Sequence, residues 1–166
     1  VYAALARQHG ETDAWIGSIF EATGVSPLHT GLNYALYNLV YRDGVPYETA
    51  PGYNSIWVTA ITEIADTLRG TRWDPYALPK TQSLYDGVLD VINAGKFTPA
   101  LGDSGSVYGG RVLNPALYQS AYRAYQTPRY LEVCTANGAI DENSFTSFRS
   151  LLEPPLSVTE PPLTST

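Results

Sequence analysis

The chain has 166 residues, 44% hydrophobic and 16% charged, enough apolar content for one sizeable core and too much for a disordered tail. Lys and Arg total 10 against 16 Asp and Glu, a formal charge of -6 with a pI near 4.7, the wrong sign for a surface that collects phosphates; nucleic acid is not an expected partner. The single cysteine, Cys134, excludes an intrachain disulfide and a cysteine-held zinc site, and no run approaches the roughly 20 apolar residues that span a bilayer.

Neither an anchor nor a signal peptide is expected in the segment, because Val1-Tyr2-Ala3 has no basic region followed by an apolar run. The sequence holds no methionine, which points to an excerpt, with residues that complete a site expected outside it.

In chain order, Trp15, Ile16, Ile19 and Phe20 predict a helix near 11 to 22, with Gly24 as its stop. Ser26-Pro27 marks a start, and Leu32, Leu36, Leu39 and Val40 predict a helix over 28 to 42. A polar, glycine-containing loop from Asp43 to Gly52 follows. The clearest helix covers 54 to 69, where Ile56, Ala60, Ile64 and Leu68 fall at i+4 steps with Trp57, Ile61 and Ala65 beside them, and Gly70 ends it. Asp74-Pro75 marks another start, and Leu84, Tyr85, Val88, Leu89, Val91 and Ile92 predict a helix from 79 to 94, closed by Gly95. A second long loop runs from Lys96 to Leu113. Asn114-Pro115 then opens a helix over 115 to 126, and Thr127-Pro128 opens further helix that Gly138 ends. No stretch alternates with period two for long enough to make a sheet. The class is all-α, one domain over 1–152, with Glu153 to Thr166, four prolines among fourteen residues, reading as a linker or fraying end.

Long loops in a helical domain are where chemistry is sought. The first collects Arg42, Asp43, Tyr47, Glu48, Tyr53 and Asn54 at a turn that opens a helix, where the positive local field favours a substrate carboxylate. The plain alternative is a turn built by Asp43-Gly44 and Pro51-Gly52, with Tyr47 and Tyr53 as packing residues.

The run Arg42-Asp43-Gly44, then Glu48, then Pro51-Gly52-Tyr53-Asn54 resembles the heparinase II/III-like family of polysaccharide lyases. Lys96-Phe97-Thr98-Pro99 followed by Leu101-Gly102-Asp103-Ser104-Gly105 is similar to the loop after the next helical hairpin of those proteins, and the likeness extends from about residue 12 to 126. The resemblance implies part of an incomplete (α/α) toroid of helical hairpins, followed in the family by a β-sandwich domain on which the segment would pack. It implies cleavage of acidic, uronic-acid polysaccharide by β-elimination. No cofactor is expected, and two histidines twenty residues apart with no cysteine cluster make no recognisable metal site. Tyr53 matches the family's proton-transferring tyrosine, and Glu48, Asn54 and Asp103 are the substrate-binding candidates. The family's carboxylate-neutralising Asn or His and its later His have no counterpart here. His9 and His29 lack the surrounding residues and read as surface or cap histidines. The substrate class implies a periplasmic or extracellular location.

Three other readings compete. A toroid that binds carbohydrate or serves as a scaffold without catalysis would carry the same residues. A helical-barrel glycoside hydrolase needs two facing carboxylates, for which Glu48 and Asp103 are the only loop acids to nominate. Gly102-Asp103-Ser104-Gly105 also resembles the nucleophile run of chymotrypsin-like proteases, but helical punctuation opposes two β-barrels and Ser106 replaces that pattern's second glycine. Cys134 reads as a small core residue. Tyr118, Tyr122 and Tyr125, on one helix face, read as core before sugar-stacking strip. Arg42, Lys96 and Arg111 are the candidates for a local basic patch.

Overall fold

A computed structural model describes residues 9–21, 31–48, 50–91, 99–104 and 114–136. These form α1 (Thr12–Phe20), α2 (Leu32–Asn38), α3 (Pro51–Leu68), a 3₁₀ turn (Pro75–Ala77), α4 (Pro79–Asp90), α5 (Pro115–Tyr125) and α6 (Pro128–Ala136). The described residues contain no strand, only an isolated antiparallel bridge between Val40 and Pro46. The all-α class holds. None of these helices is long and apolar enough to cross a membrane.

Two of the expected side-chain caps are made. The Asp74 carboxylate accepts the Tyr76 N–H at 2.9 Å, and the Asn114 side chain accepts the Ala116 N–H at 3.0 Å. Asp74-Pro75 opens only the short 3₁₀ turn, and α4 begins at Pro79. Gly70, at φ +73°, takes the left-handed conformation just past α3. Gly24, Ser26-Pro27, Gly95, Gly138, the tail from Glu153 and most of the second loop lie outside the described residues.

The helix predicted over 28 to 42 is described from Leu32 and ends at Asn38, because Val40 leaves it to pair with Pro46; α4 stops at Asp90, short of the predicted 94. The buried stripe of α3 differs from the expected one. Asn54, Val58, Ile61, Ala65 and Leu68, spaced 4, 3, 4 and 3, face the core together with Thr62, while Ile56 and Ala60 are exposed. Ile61, Ala65 and Leu68 belong to both stripes, and the buried face takes in the polar Asn54 and Thr62 in place of Ile56 and Ala60.

The main core joins Leu36 and Val40 to Val58, Ile61 and Ala65 of α3, Leu84, Tyr85, Val88 and Leu89 of α4, Tyr118 and Ala121 of α5, and Tyr130, Val133 and Cys134 of α6. A smaller cluster packs Ile16 and Phe20 of α1 on Leu68, with Trp73 against it. Cys134 is a core residue, and burial raises its thiol to about 11. Tyr118 is core, with Tyr122 and Tyr125 packed against it.

Candidate functional site

The first turn of α3 and the second loop meet. Helix α3 starts at Pro51, three residues before its predicted start, so Pro51-Gly52-Tyr53 is its first turn rather than the approach to it. Proline is comfortable at this first position, but Ala50 at the N-cap offers no side-chain acceptor. Ser104 supplies one from the other loop: its buried Oγ accepts the Gly52 N–H at 3.1 Å and donates to the Leu101 carbonyl at 2.6 Å. Gly52 is glycine because Ser104 rests on it. A Cβ there would stand 2.8 Å from the Ser104 carbonyl oxygen and 3.0 Å from its Cα.

That clamp brings the two sequence motifs together. With Ser104 held on Gly52, the neighbouring Asp103 carboxylate lies 3.4 Å from Tyr53 Oη, a long hydrogen bond in which the phenol donates. Both side chains are exposed. The remaining first-turn donors are satisfied, since Tyr53 N–H and Asn54 N–H both reach the Ala50 carbonyl, at 2.9 and 3.0 Å. A ligand carboxylate therefore finds no vacant backbone donor on Gly52, Tyr53 or Asn54, in contrast to the expected helix-end anion site.

Glu48 is exposed in the turn before α3, where its carbonyl accepts the Ala50 N–H at 2.7 Å. Asn54 is interior, 1% exposed, and its Oδ1 has no hydrogen-bond partner among the described residues. Tyr47 is no packing residue: it is 67% exposed. His9 caps the start of α1, its Nδ1 accepting the Glu11 N–H at 3.2 Å while its ring stacks on Trp15. His29, Lys96 and Arg111 lie outside the described residues. Ser104, buried with its hydroxyl engaged twice, has none of the exposure a protease nucleophile needs. No group of three or more His, Cys, Asp or Glu gathers among the described residues in a way that would hold a metal ion.

Sequence reasoning missed Lys80 and Gly87, which seat the first loop on α4. The Lys80 ammonium donates to the carbonyls of Val40 and Tyr41 at 2.8 and 2.6 Å. Gly44, at φ +84°, lies against α4 so tightly that a Cβ would overlap the Ser83 carbonyl oxygen, and a Cβ on Gly87 would meet the Asp43 carbonyl at 2.6 Å. A glycine inside a helix, where it costs roughly 1 kcal/mol against alanine, was the available signal.

No family model matches the chain, and searches of curated proteins and of solved structures give no match either.

Proposed function

We propose that the chain is part of the helical toroid of a polysaccharide lyase that cleaves uronic-acid polymers by β-elimination, with Tyr53 as the proton-transfer residue. In that reaction the C5 proton is removed, a C4–C5 double bond forms, the C4–O bond breaks and the departing glycosidic oxygen takes up a proton. Tyr53 Oη is the exposed group that exchanges a proton, Asp103 orients it, and Glu48 contacts sugar hydroxyls. Asn54 is left out of the contact set because its side chain is buried. The carboxylate-neutralising Asn or His, the second His and the β-sandwich belong to the proposal as parts supplied from beyond these 166 residues. A periplasmic or extracellular location follows from such a substrate.

The observation that carries this reading is the meeting of two motifs 50 residues apart in sequence, with Tyr53 Oη 3.4 Å from the Asp103 carboxylate above the Gly52–Ser104 clamp. Structural need accounts for the clamp, but it does not require a phenol and a carboxylate paired in water beside it. The test is ultraviolet absorbance of the unsaturated uronate product, run on several polyuronates with the longest protein that carries this segment. Tyr53→Phe is expected to lower the rate by about 10²- to 10⁴-fold with unchanged helix content and polymer affinity. Retention of more than about a tenth of the rate makes Tyr53 a surface tyrosine. Polymer binding without any cleavage favours the non-catalytic carbohydrate-binding toroid.

A further inference from the structure

The loop between α2 and α3 exposes two tyrosine rings for a reason visible in its backbone. The Val40–Pro46 bridge turns both of those residues inward, and the two-residue alternation of extended chain turns Tyr41 and Tyr47 outward. Tyr41 N–H donates to the Val45 carbonyl at 2.9 Å and Tyr47 N–H to the Leu39 carbonyl at 2.7 Å, so the two residues flank the bridge. Their ring centroids are 6.5 Å apart, tilted by 55°, and the residues are 47% and 67% exposed.

Single exposed aromatics are common, but this pair stands on a fixed base. Lys80 binds the carbonyls of Val40 and Tyr41, the Asp43 carboxylate accepts the Val45 N–H at 3.1 Å, and Gly44 is seated against Gly87. The backbone that carries the rings is anchored while their faces stay in water, so a ligand that covers them loses little loop entropy. Between them in sequence, Arg42 is exposed and makes no hydrogen bond or ion pair among the described residues.

We propose that Tyr41, Arg42 and Tyr47 form a subsite that binds an acidic sugar ring of a polysaccharide. The inference rests on the lyase reading for its substrate class and adds a binding site apart from Tyr53. One face of a pyranose ring is lined by C–H bonds with partial positive charge, which suits the negative face of a phenol ring and removes apolar area from water. A guanidinium with no partner among the described residues suits the sugar carboxylate, which it can meet with two parallel hydrogen bonds. Tyr47 is six residues before Tyr53, at most about 20 Å of extended chain, so one oligosaccharide reaches both. A protein partner needs a far larger patch than two rings.

The test is binding of the longest protein that carries this segment to polygalacturonate, alginate and hyaluronan, and to a neutral glucan, by affinity electrophoresis and calorimetry, with thermal melts confirming that each variant folds. Tyr41→Ala with Tyr47→Ala is expected to weaken polyuronate binding about tenfold or more, whereas the corresponding Phe pair retains it, because the ring face and not the hydroxyl makes the contact. Arg42→Gln should weaken polyuronate binding and leave the neutral glucan unaffected. Unchanged affinity in the alanine pair, a Phe pair as weak as the alanine pair, indifference of polyuronate binding to Arg42→Gln, or no polymer bound by the wild type would each overturn the subsite. The two readings separate cleanly. Ring-dependent binding without unsaturated product upholds the subsite and sinks the lyase, and cleavage whose KM ignores Tyr41 and Tyr47 does the reverse.

Discussion

Tyrosine occurs 13 times in this chain and does two opposite jobs. In the interior, Tyr76, Tyr85, Tyr118, Tyr125 and Tyr130 form a cluster of edge-on and tilted rings with centroids 5.7 to 6.3 Å apart. Most of their hydroxyls are bonded. Tyr76 donates to Asp66 at 2.8 Å, Tyr130 to Asp86 at 2.7 Å and Tyr118 to the Tyr85 carbonyl at 3.3 Å. Tyr85 lies 2.6 Å from Thr62 Oγ1, whose one hydrogen is directed at the Val58 carbonyl, which leaves Tyr85 as the donor. On the surface, Tyr41, Tyr47 and Tyr53 present faces and hydroxyls to water. The same side chain is a packing unit with a satisfied polar tip in one region and a candidate reagent or platform in the other. What decides between them is which neighbours the fold supplies, and composition carries none of that information.

The sharpest way to break the interior half is at Asp66, a fully buried carboxylate that binds Arg69 at 2.7 Å, Tyr76 at 2.8 Å and Ser120 at 2.8 Å, joining α3 to the 3₁₀ turn and α5. Burial alone would lower the Arg69 pKa, but the hydrogen bond and charge of Asp66 outweigh it and the guanidinium is held above its ordinary value. Asp66→Ala strips three donors of their acceptor and is expected to destabilise the fold by about 3 to 5 kcal/mol, towards the lower end because Arg69 is one-third exposed. Asp66→Asn, which keeps an acceptor oxygen, should cost less. Denaturant titration measures both, and two equal losses would show that the carboxylate charge, and not its acceptor geometry, holds the turn.

How much of this was legible follows from where each cause sits in the chain. Local causes were readable: Asn114 and Asp74 cap the turns they precede, and apolar spacing gave the class and most of the helices. The start of α3 was not readable, because its cap is Ser104, a hydroxyl that reaches Gly52 from 52 residues away. The polar residues of its buried face were not readable either, since periodicity alone prefers Ile56 to Asn54, and the partner that Tyr85 gives the buried Thr62 hydroxyl comes from α4, 23 residues on. For the site, Tyr53 and Asp103 were named on separate motifs, and the fold supplied their proximity. Tyr41 escaped notice because a single bridge pair, too short for an alternation signal, turns it outward.

A smaller effect sharpens the contrast at high pH. Burial raises Tyr76, Tyr118, Tyr125 and Tyr130 well above the ordinary phenol value and Tyr85 to about 12. The folded state thus holds these protons more tightly than the unfolded chain. Below about pH 10 both states are protonated and the stability is intact; as pH rises from there through 12 the unfolded chain releases protons first and stability falls. Tyrosinate absorbance should therefore show the buried group ionising in one cooperative step that coincides with loss of helical circular dichroism. Gradual ionisation of all tyrosines with helix intact would dissolve the division between the two populations.

The finest distinction lies within the buried cluster. Tyr125 packs its ring against Tyr76, Tyr85 and Tyr130, yet its Oη is buried with no hydrogen-bond partner among the described residues. An unpaired buried hydroxyl costs free energy, while a paired one is close to neutral until its partner is orphaned. Tyr125→Phe keeps the ring and removes only the unpaired group, so it should leave stability unchanged or raise it by up to about 1 kcal/mol. Tyr76→Phe also keeps its ring but withdraws a donor from the buried Asp66 carboxylate, and should cost about 1 to 3 kcal/mol. Equilibrium unfolding of the two variants side by side decides the matter. If Tyr125→Phe costs as much as Tyr76→Phe, the hydroxyl of Tyr125 is bonded in solution, and the interior cluster depends on its polar tips throughout and not on ring packing alone.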